Sequence, residues 1–243
     1  QDIAFNTDGT KMFIIGQSGD GVNQYTLTTG FDLSTVTGSV ITKSVSAQET
    51  APTGLTFSTD GTKMFICGTT SDRVQEYTLS TPFSVDTASF TRSIYINSQD
   101  TASTGVAFNT DGTKMFLIGF AVDKVHEYAL TTGFDVSTAT LNQNFLVSGQ
   151  DSTPEGIHFN SDGTRMFIIG SQYNRVHEYT LTVGFNLSTA SYSGNTFNVT
   201  AYSTSGVKGV AFNTDNSKMF IIGNNPRTIT EHEIPYELQL GTG

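Results

Sequence analysis

The nine residues Phe5-Asn-Thr-Asp-Gly-Thr-Lys-Met-Phe13 return almost unchanged from Phe57, Phe108, Phe159 and Phe212. The intervals are 52, 51, 51 and 53 residues, so five copies of one unit fill a chain of 243. A near-even period of this length marks a repeat architecture, in which no unit buries its apolar faces without its neighbours. The copies fall near 1–53, 54–104, 105–155, 156–208 and 209–243 and are read together as one domain, 1–243. Residues common to all copies are explained first by construction of the unit, so activity is to be sought where copies differ.

The third copy shows how the unit is built. Residues 105–108 form a short strand, and Asp111-Gly112 then marks a tight turn, since Gly accepts positive φ and Asp bonds nearby backbone. A second strand over 114–119, a turn over 120–124 and a third strand over 125–130 follow, and a longer connection over 131–139 leads to a fourth strand near 141–148. Turn signals about every ten residues between β-branched and aromatic runs indicate antiparallel strands. The second strand is apolar on both faces, with Met115 and Leu117 on one and Phe116 and Ile118 on the other. The fourth strand is polar, as in Thr91-Arg-Ser-Ile-Tyr-Ile-Asn97. A sheet buried on both faces with a wet outer strand suits a propeller blade, and small residues in the first strand (Ala4, Thr56, Ala107, Ala211) suit a crowded axis. The expected fold is all-β, a five-bladed β-propeller of four-stranded antiparallel blades.

The recurring G-[VIL]-x-F-[NS]-[TS]-D-G-[TS]-[KR]-M-F-[IL] segment resembles the F-S-P-D-G-[KT]-x-[LMI]-[YF] hairpin of the YVTN/PD40/TolB-type β-propeller superfamily, with Thr or Ser in place of the customary Pro. The resemblance recurs along the whole chain and implies the fold. It says little about activity, because such propellers include binding scaffolds, surface-layer proteins and a few enzymes. Five blades at this length are also similar in outline to the animal lectin tachylectin-2, whose sequence repeat is different.

Composition narrows the partners. With 12 Lys+Arg against 22 Asp+Glu, the formal charge of −10 disfavours nucleic acid and anionic membranes. No run approaches the roughly 18 apolar residues of a spanning helix, so membrane insertion is not expected. The single cysteine, Cys67, sits in an apolar run. The chain opens at Gln1, almost inside the first copy. A cleaved leader, a trimmed sequence and a fragment of a longer array all remain open, and removal of upstream residues fits export. The expected location is extracellular or at a cell or virion surface.

Candidate sites were weighed against plain structural roles. The aspartates Asp8, Asp60, Asp111, Asp162 and Asp215 lack the D-x-D-x-D-G spacing of a calcium loop and read as turn residues. The acids Glu76, Glu127, Glu178 and Glu231, with Gln24 in the first copy, read as cross-strand partners of Lys63, Lys114, Arg165, Lys218 and Lys11. His126, His177 and His232 suggest no three-ligand zinc site, and no cofactor is expected. His158 takes the small-residue slot of the first strand and so projects near the axis. A Gln-acid pair precedes the first strand at Gln48-Glu49, Gln99-Asp100 and Gln150-Asp151. These pairs share one end of the ring with the variable turns between second and third strands. There Phe120 and Tyr173, beside Arg73, Lys124, Arg175 and Arg227, offer the aromatic faces and polar groups a sugar would use. The ligand-binding set expected is therefore Phe120, Tyr173, Arg73, Lys124, Arg175, Gln48, Gln99, Gln150, Asp100 and Asp151.

This gives, as the leading expectation, a non-enzymatic extracellular binding or adhesion module whose ligand is a glycan or protein, with a larger surface or virion assembly as a compatible setting. Two alternatives stand beside it. One is a structural repeat of a surface layer, filament or virion. The other is a propeller enzyme (lyase, lactonase or glycosidase) acting at the central channel, to which only His158 points.

Overall fold

The computed structural model describes residues 1–201, 206–224 and 228–234. Arg227, the 202–205 stretch and the 235–243 stretch lie outside the described residues. The first blade comprises β1 (Asp2–Phe5), β2 (Lys11–Gly16), β3 (Gly21–Leu27) and β4 (Val36–Ser44). The second comprises β5 (Pro52–Phe57), β6 (Lys63–Gly68), β7 (Arg73–Leu79) and β8 (Ala88–Tyr95). The third comprises β9 (Ser103–Phe108), β10 (Lys114–Gly119), β11 (Lys124–Leu130) and β12 (Ala139–Leu146). The fourth comprises β13 (Pro154–Phe159), β14 (Arg165–Gly170), β15 (Arg175–Leu181) and β16 (Ala190–Asn198). Among the described residues the fifth has β17 (Val207–Phe212), β18 (Lys218–Gly223) and β19 (Ile229–Glu233). Each sheet is an antiparallel meander in chain order. The chain is a five-bladed β-propeller, with the first strands β1, β5, β9, β13 and β17 adjacent around the axis.

Each A–B hairpin (first strand to second) is tied by its aspartate. Asp8 Oδ1 accepts from Thr10 N (2.9 Å) and Thr10 Oγ1 (2.6 Å), and Asp111 does the same for Thr113. These bonds to the charged form hold both carboxyls below the usual range. The turn glycine has a second duty beyond its positive φ. An added Cβ at Gly9, Gly61, Gly112 or Gly163 would collide with the ring of Phe31, Phe83, Phe134 or Phe185, which the connection before the fourth strand folds over the hairpin.

The core lies between blades rather than within one. Each second strand sends its Phe into the seam with the following blade: Phe13 packs on Phe57 with ring centroids 4.5 Å apart, and Phe65 on Phe108 at 4.4 Å. The following blade returns its Met, so that Phe13 and Met64 share one buried cluster and Phe116 and Met166 another. Both faces of the second strand are thereby covered, as its two-sided apolar pattern requires, while the fourth strands stay largely exposed.

A polar clamp runs along the same seams. Lys63 pairs with Glu76 at 2.9 Å, Lys114 with Glu127 at 3.1 Å and Lys218 with Glu231 at 2.6 Å. The expected cross-strand pair is present, but it also reaches into the next blade. Lys63 Nζ donates to Phe134 O (2.5 Å), while Glu76 Oε2 accepts from Val136 N (3.1 Å). The two charges thus grip the backbone either side of Asp135. Lys11 and Gln24 hold Phe83 O and Val85 N in the same way, Lys114 and Glu127 hold Phe185 O and Leu187 N, and Lys218 and Glu231 hold Phe31 O and Leu33 N. The last set joins the fifth blade to the first, so the ring closes by the device used at the seams between the first four blades.

Glu76 is fully buried, and removing it strands Lys63 and the Val136 N–H in a low-dielectric seam. Glu76→Ala is expected to cost about 3–5 kcal/mol, as for other broken buried pairs. Asp111→Ala, at an exposed turn, should cost well under half of that. Urea unfolding midpoints of the two variants check the ordering.

Candidate functional site

The first strands enclose a cavity of about 350 Å³ on the axis. One residue from each contributes the inner ring at the same register: Ala4, Thr56, Ala107, His158 and Ala211. His158 therefore projects where its slot in the repeat predicts, into space that alanine side chains leave open. Its ring lies 4.9 Å from the Phe212 ring, and burial lowers its pKa to about 4. Near neutral pH it is an uncharged imidazole.

The cavity extends from the inner ring to the A–B hairpins, where Asn6, Thr7, Ser58, Thr59, Asn213 and Thr214 line it. Below the inner ring the first strands close in. Gly54, Gly105, Gly156 and Gly209 stand there at one register, and an added Cβ on Gly105 would sit 3.1 Å from Gly156 Cα. In the first blade the corresponding residue is Asp2, a carboxylate in a ring of glycines. It is 7% exposed, accepts from Ile3 N (2.9 Å) through one oxygen and reaches Leu55 N in the next blade (3.0 Å) through the other. Burial raises its pKa to about 7, against the opposing effect of those two N–H donors. Asp2 was not singled out from the sequence. The signal available there was the replacement, in one copy, of a glycine common to the other four.

The residues expected to bind ligand at the opposite end divide into two groups. Phe120 (46% exposed) and Tyr173 (54% exposed) stand on the turns of adjacent blades, with Lys124 and Arg175 at the starts of the strands that follow. Arg73 lies over the Tyr95 ring at 5.1 Å and donates to Ser93 Oγ (3.0 Å). The Gln-acid pairs instead face inward. Gln48, Gln99 and Gln150 accept from the hydroxyls of Tyr77 (3.1 Å), Tyr128 (3.3 Å) and Tyr179 (3.1 Å). Asp100 and Asp151 are buried and bind the backbone two residues on, at Ala102 N (2.7 Å) and Thr153 N (2.8 Å). Glu49 likewise holds Ala51 N and, across the turn, Ser71 N. None of the ten lines the axial cavity.

His126 and His177 are buried in their third strands, and among the described residues no group bonds either ring nitrogen. Burial, reinforced by Lys124, lowers the pKa of His126 to about 4. Burial also lowers that of His177, with Arg175 adding to the shift and Asp151 opposing it. Cys67 is a buried thiol that burial pushes up to about 12. Among the described residues no group of three His, Cys, Asp or Glu side chains is placed to hold a metal ion.

No known family profile matches the chain, and no curated protein is significantly similar to it. Solved structures do share its architecture. A provisional 6-phosphogluconolactonase from Bacteroides uniformis is 13% identical, with a TM-score of 0.57 over 98% of this chain and 67% of that one. The periplasmic gluconolactonase of Pseudomonas aeruginosa is 13% identical, with a TM-score of 0.53 over 97% and 66%. A nidogen/laminin complex gives 10% identity and a TM-score of 0.60 over 96% and 74%. At these identities the likeness shows the propeller fold alone. The expectation of a non-enzymatic binding or adhesion module is nonetheless corrected. Several of these similar structures bear lactonase names, the enzyme alternative rather than a binding module, and that alternative places its chemistry in the axial cavity.

The buried titratable groups act on stability with opposite signs. Asp2 has a folded pKa (about 7) above its unfolded value, so the unfolded state releases its proton first. Stability is thus lost as pH rises from about 4 to about 7 and levels off above. For His126 and His158 the folded value (about 4) lies below the unfolded one, so stability is lost as pH falls from about 6.5 to about 4. Asp2→Asn should remove the first loss and leave the second. Urea midpoints at pH 5 and pH 8 would reveal it: the difference between variant and wild type should be larger, in the variant's favour, at pH 8.

Proposed function

We propose that the chain is a propeller hydrolase that opens lactones in the axial cavity, with His158 as the general base. The observation that carries this reading is the single imidazole on an inner ring otherwise made of three alanines and a threonine, facing a cavity large enough for a small cyclic ester. The lactonase names of several structures with this fold support it.

The chemistry follows from the residues. Burial keeps His158 neutral and so able to accept a proton. Water adds its oxygen to the lactone carbonyl carbon as its proton passes to the imidazole. The tetrahedral adduct then expels the ring oxygen, which takes that proton, leaving a hydroxy acid. Thr56 places a hydroxyl on the same inner ring, and Phe57, Phe159 and Phe212 supply apolar walls for C–H faces. Among the described residues no Lys or Arg lines the cavity, and Asp2 sits at its base. That balance favours an uncharged lactone over a phosphorylated one.

The test is hydrolysis of gluconolactone and of 6-phosphogluconolactone, measured above the spontaneous rate. The expected outcome is turnover of the neutral lactone, a decline in rate as pH falls through about 4, and a loss of roughly 10²–10⁴-fold in His158→Ala. Rates equal to the spontaneous reaction, or unchanged in His158→Ala, would sink the proposal.

A further inference from the structure

Beside the axial cavity, a second hollow of about 190 Å³ lies among the A–B hairpins of the second, third and fourth blades. The two share a wall. Thr56, Ala107 and His158 of the inner ring line both, as do Phe57 and Phe159. The imidazole therefore stands where the two spaces meet. A molecule reacting at His158 has room for its ring on the axis and for a side group in the hollow.

The walls of the hollow are aromatic. Each first strand ends on a Phe, and the long connection lays a second Phe over the same hairpin. In the third blade these are Phe108 and Phe134, with ring centroids 5.4 Å apart, and in the fourth Phe159 and Phe185, also at 5.4 Å. The preceding blade fixes them from behind, with Phe65 4.4 Å from Phe108 and Phe116 4.5 Å from Phe159. Phe57, Phe108, Phe134 and Phe185 remain half-buried and line the hollow. Among the described residues no Asp, Glu, Lys or Arg does so.

The polar groups around these rings already have work within the fold. Asn109 accepts from Lys114 N (2.8 Å) and donates to Thr113 Oγ1 (3.2 Å). Asn160 holds Arg165 N (2.9 Å) and Thr164 Oγ1 (3.2 Å) in the same way, and Thr59 Oγ1 donates to Thr110 O of the next blade (3.2 Å). A ligand hydroxyl set against phenyl rings gives up its bonds to water without full replacement. A hydrocarbon group loses nothing there and gains by leaving water. The size is sufficient, since an apolar cavity of about 150 Å³ takes up benzene.

We propose that the hollow is a subsite for an apolar side group of about benzene's size and, resting on the lactone reading, that the substrate is a lactone carrying such a group.

The test compares two neutral lactones with the same ring, δ-valerolactone and its pentyl-substituted counterpart δ-decalactone, on the full chain and above the spontaneous rate. Thr110 lines the hollow but not the axial cavity, so Thr110→Trp adds bulk to the hollow alone. The pentyl lactone should have a kcat/KM at least tenfold above the plain ring, because even one methylene in an apolar pocket is worth about tenfold or more. That ratio should fall at least fivefold in Thr110→Trp, with thermal melting to show that the variant is folded. A second arm needs no turnover: fluorobenzene should show saturable line broadening by fluorine NMR with wild type, and less with Thr110→Trp. Equal kcat/KM for the two lactones overturns the subsite and leaves the lactone reading standing. Turnover of neither overturns the lactone reading and the substrate named here, and fluorobenzene binding weakened by Thr110→Trp would still locate the apolar subsite. A lactone ratio and a broadening both indifferent to Thr110→Trp overturn the subsite.

Discussion

The ring depends on the grip that one blade's lysine and glutamate exert on the backbone of the next. Apolar packing between sheets is non-directional and would tolerate sliding. The clamp is not: a carbonyl and an N–H two residues apart must meet an ammonium and a carboxylate held at diagonal positions of paired strands. With Glu76 and Glu127 fully buried, a shift that broke either contact would take from a buried carboxylate a partner that solvent cannot replace. The geometry of each seam is thereby fixed, and the summed geometry of the seams sets the blade number and the width of the axis. The cavity around His158 follows from that width.

Much of the fold was legible in the residues. The recurrence of Phe5–Phe13 set the blade count, and Met115, Phe116, Leu117 and Ile118 revealed a strand covered on both faces. The slot of His158 in the repeat placed it on the axis before any coordinates did. The clamp was half visible. Charge pairing between strands can be inferred from register, but the segment the pair holds comes from the following copy, some 60 residues on in sequence, as for Glu76 and Val136. Periodicity within a copy carries no sign of that contact.

The candidate site was harder to read, for a related reason. The variable end of the ring drew notice because exposed aromatics and carboxamides are what ligands use. Yet Gln48, Gln99 and Gln150 turn inward to tyrosine hydroxyls 29 residues away, and Asp100 and Asp151 tie their own loops. A buried polar residue with a partner and an exposed one awaiting a ligand have the same letter in a sequence. Asp2 escaped attention for the opposite reason. Its oddity lies in the absence of a glycine, and a missing residue type draws less notice than a present one.

The Phe-Asx-Val connection belongs by sequence to one copy and by packing to the copy before it. The stretch duplicated in the gene is thus out of phase with the sheet, and each repeat carries a complete half of two successive joints. Inserting or deleting one such stretch leaves every surviving joint intact. A protein assembled this way keeps both partners of each joint when a repeat is gained or lost, and what must then adjust is the angle at each joint and the lining of the bore.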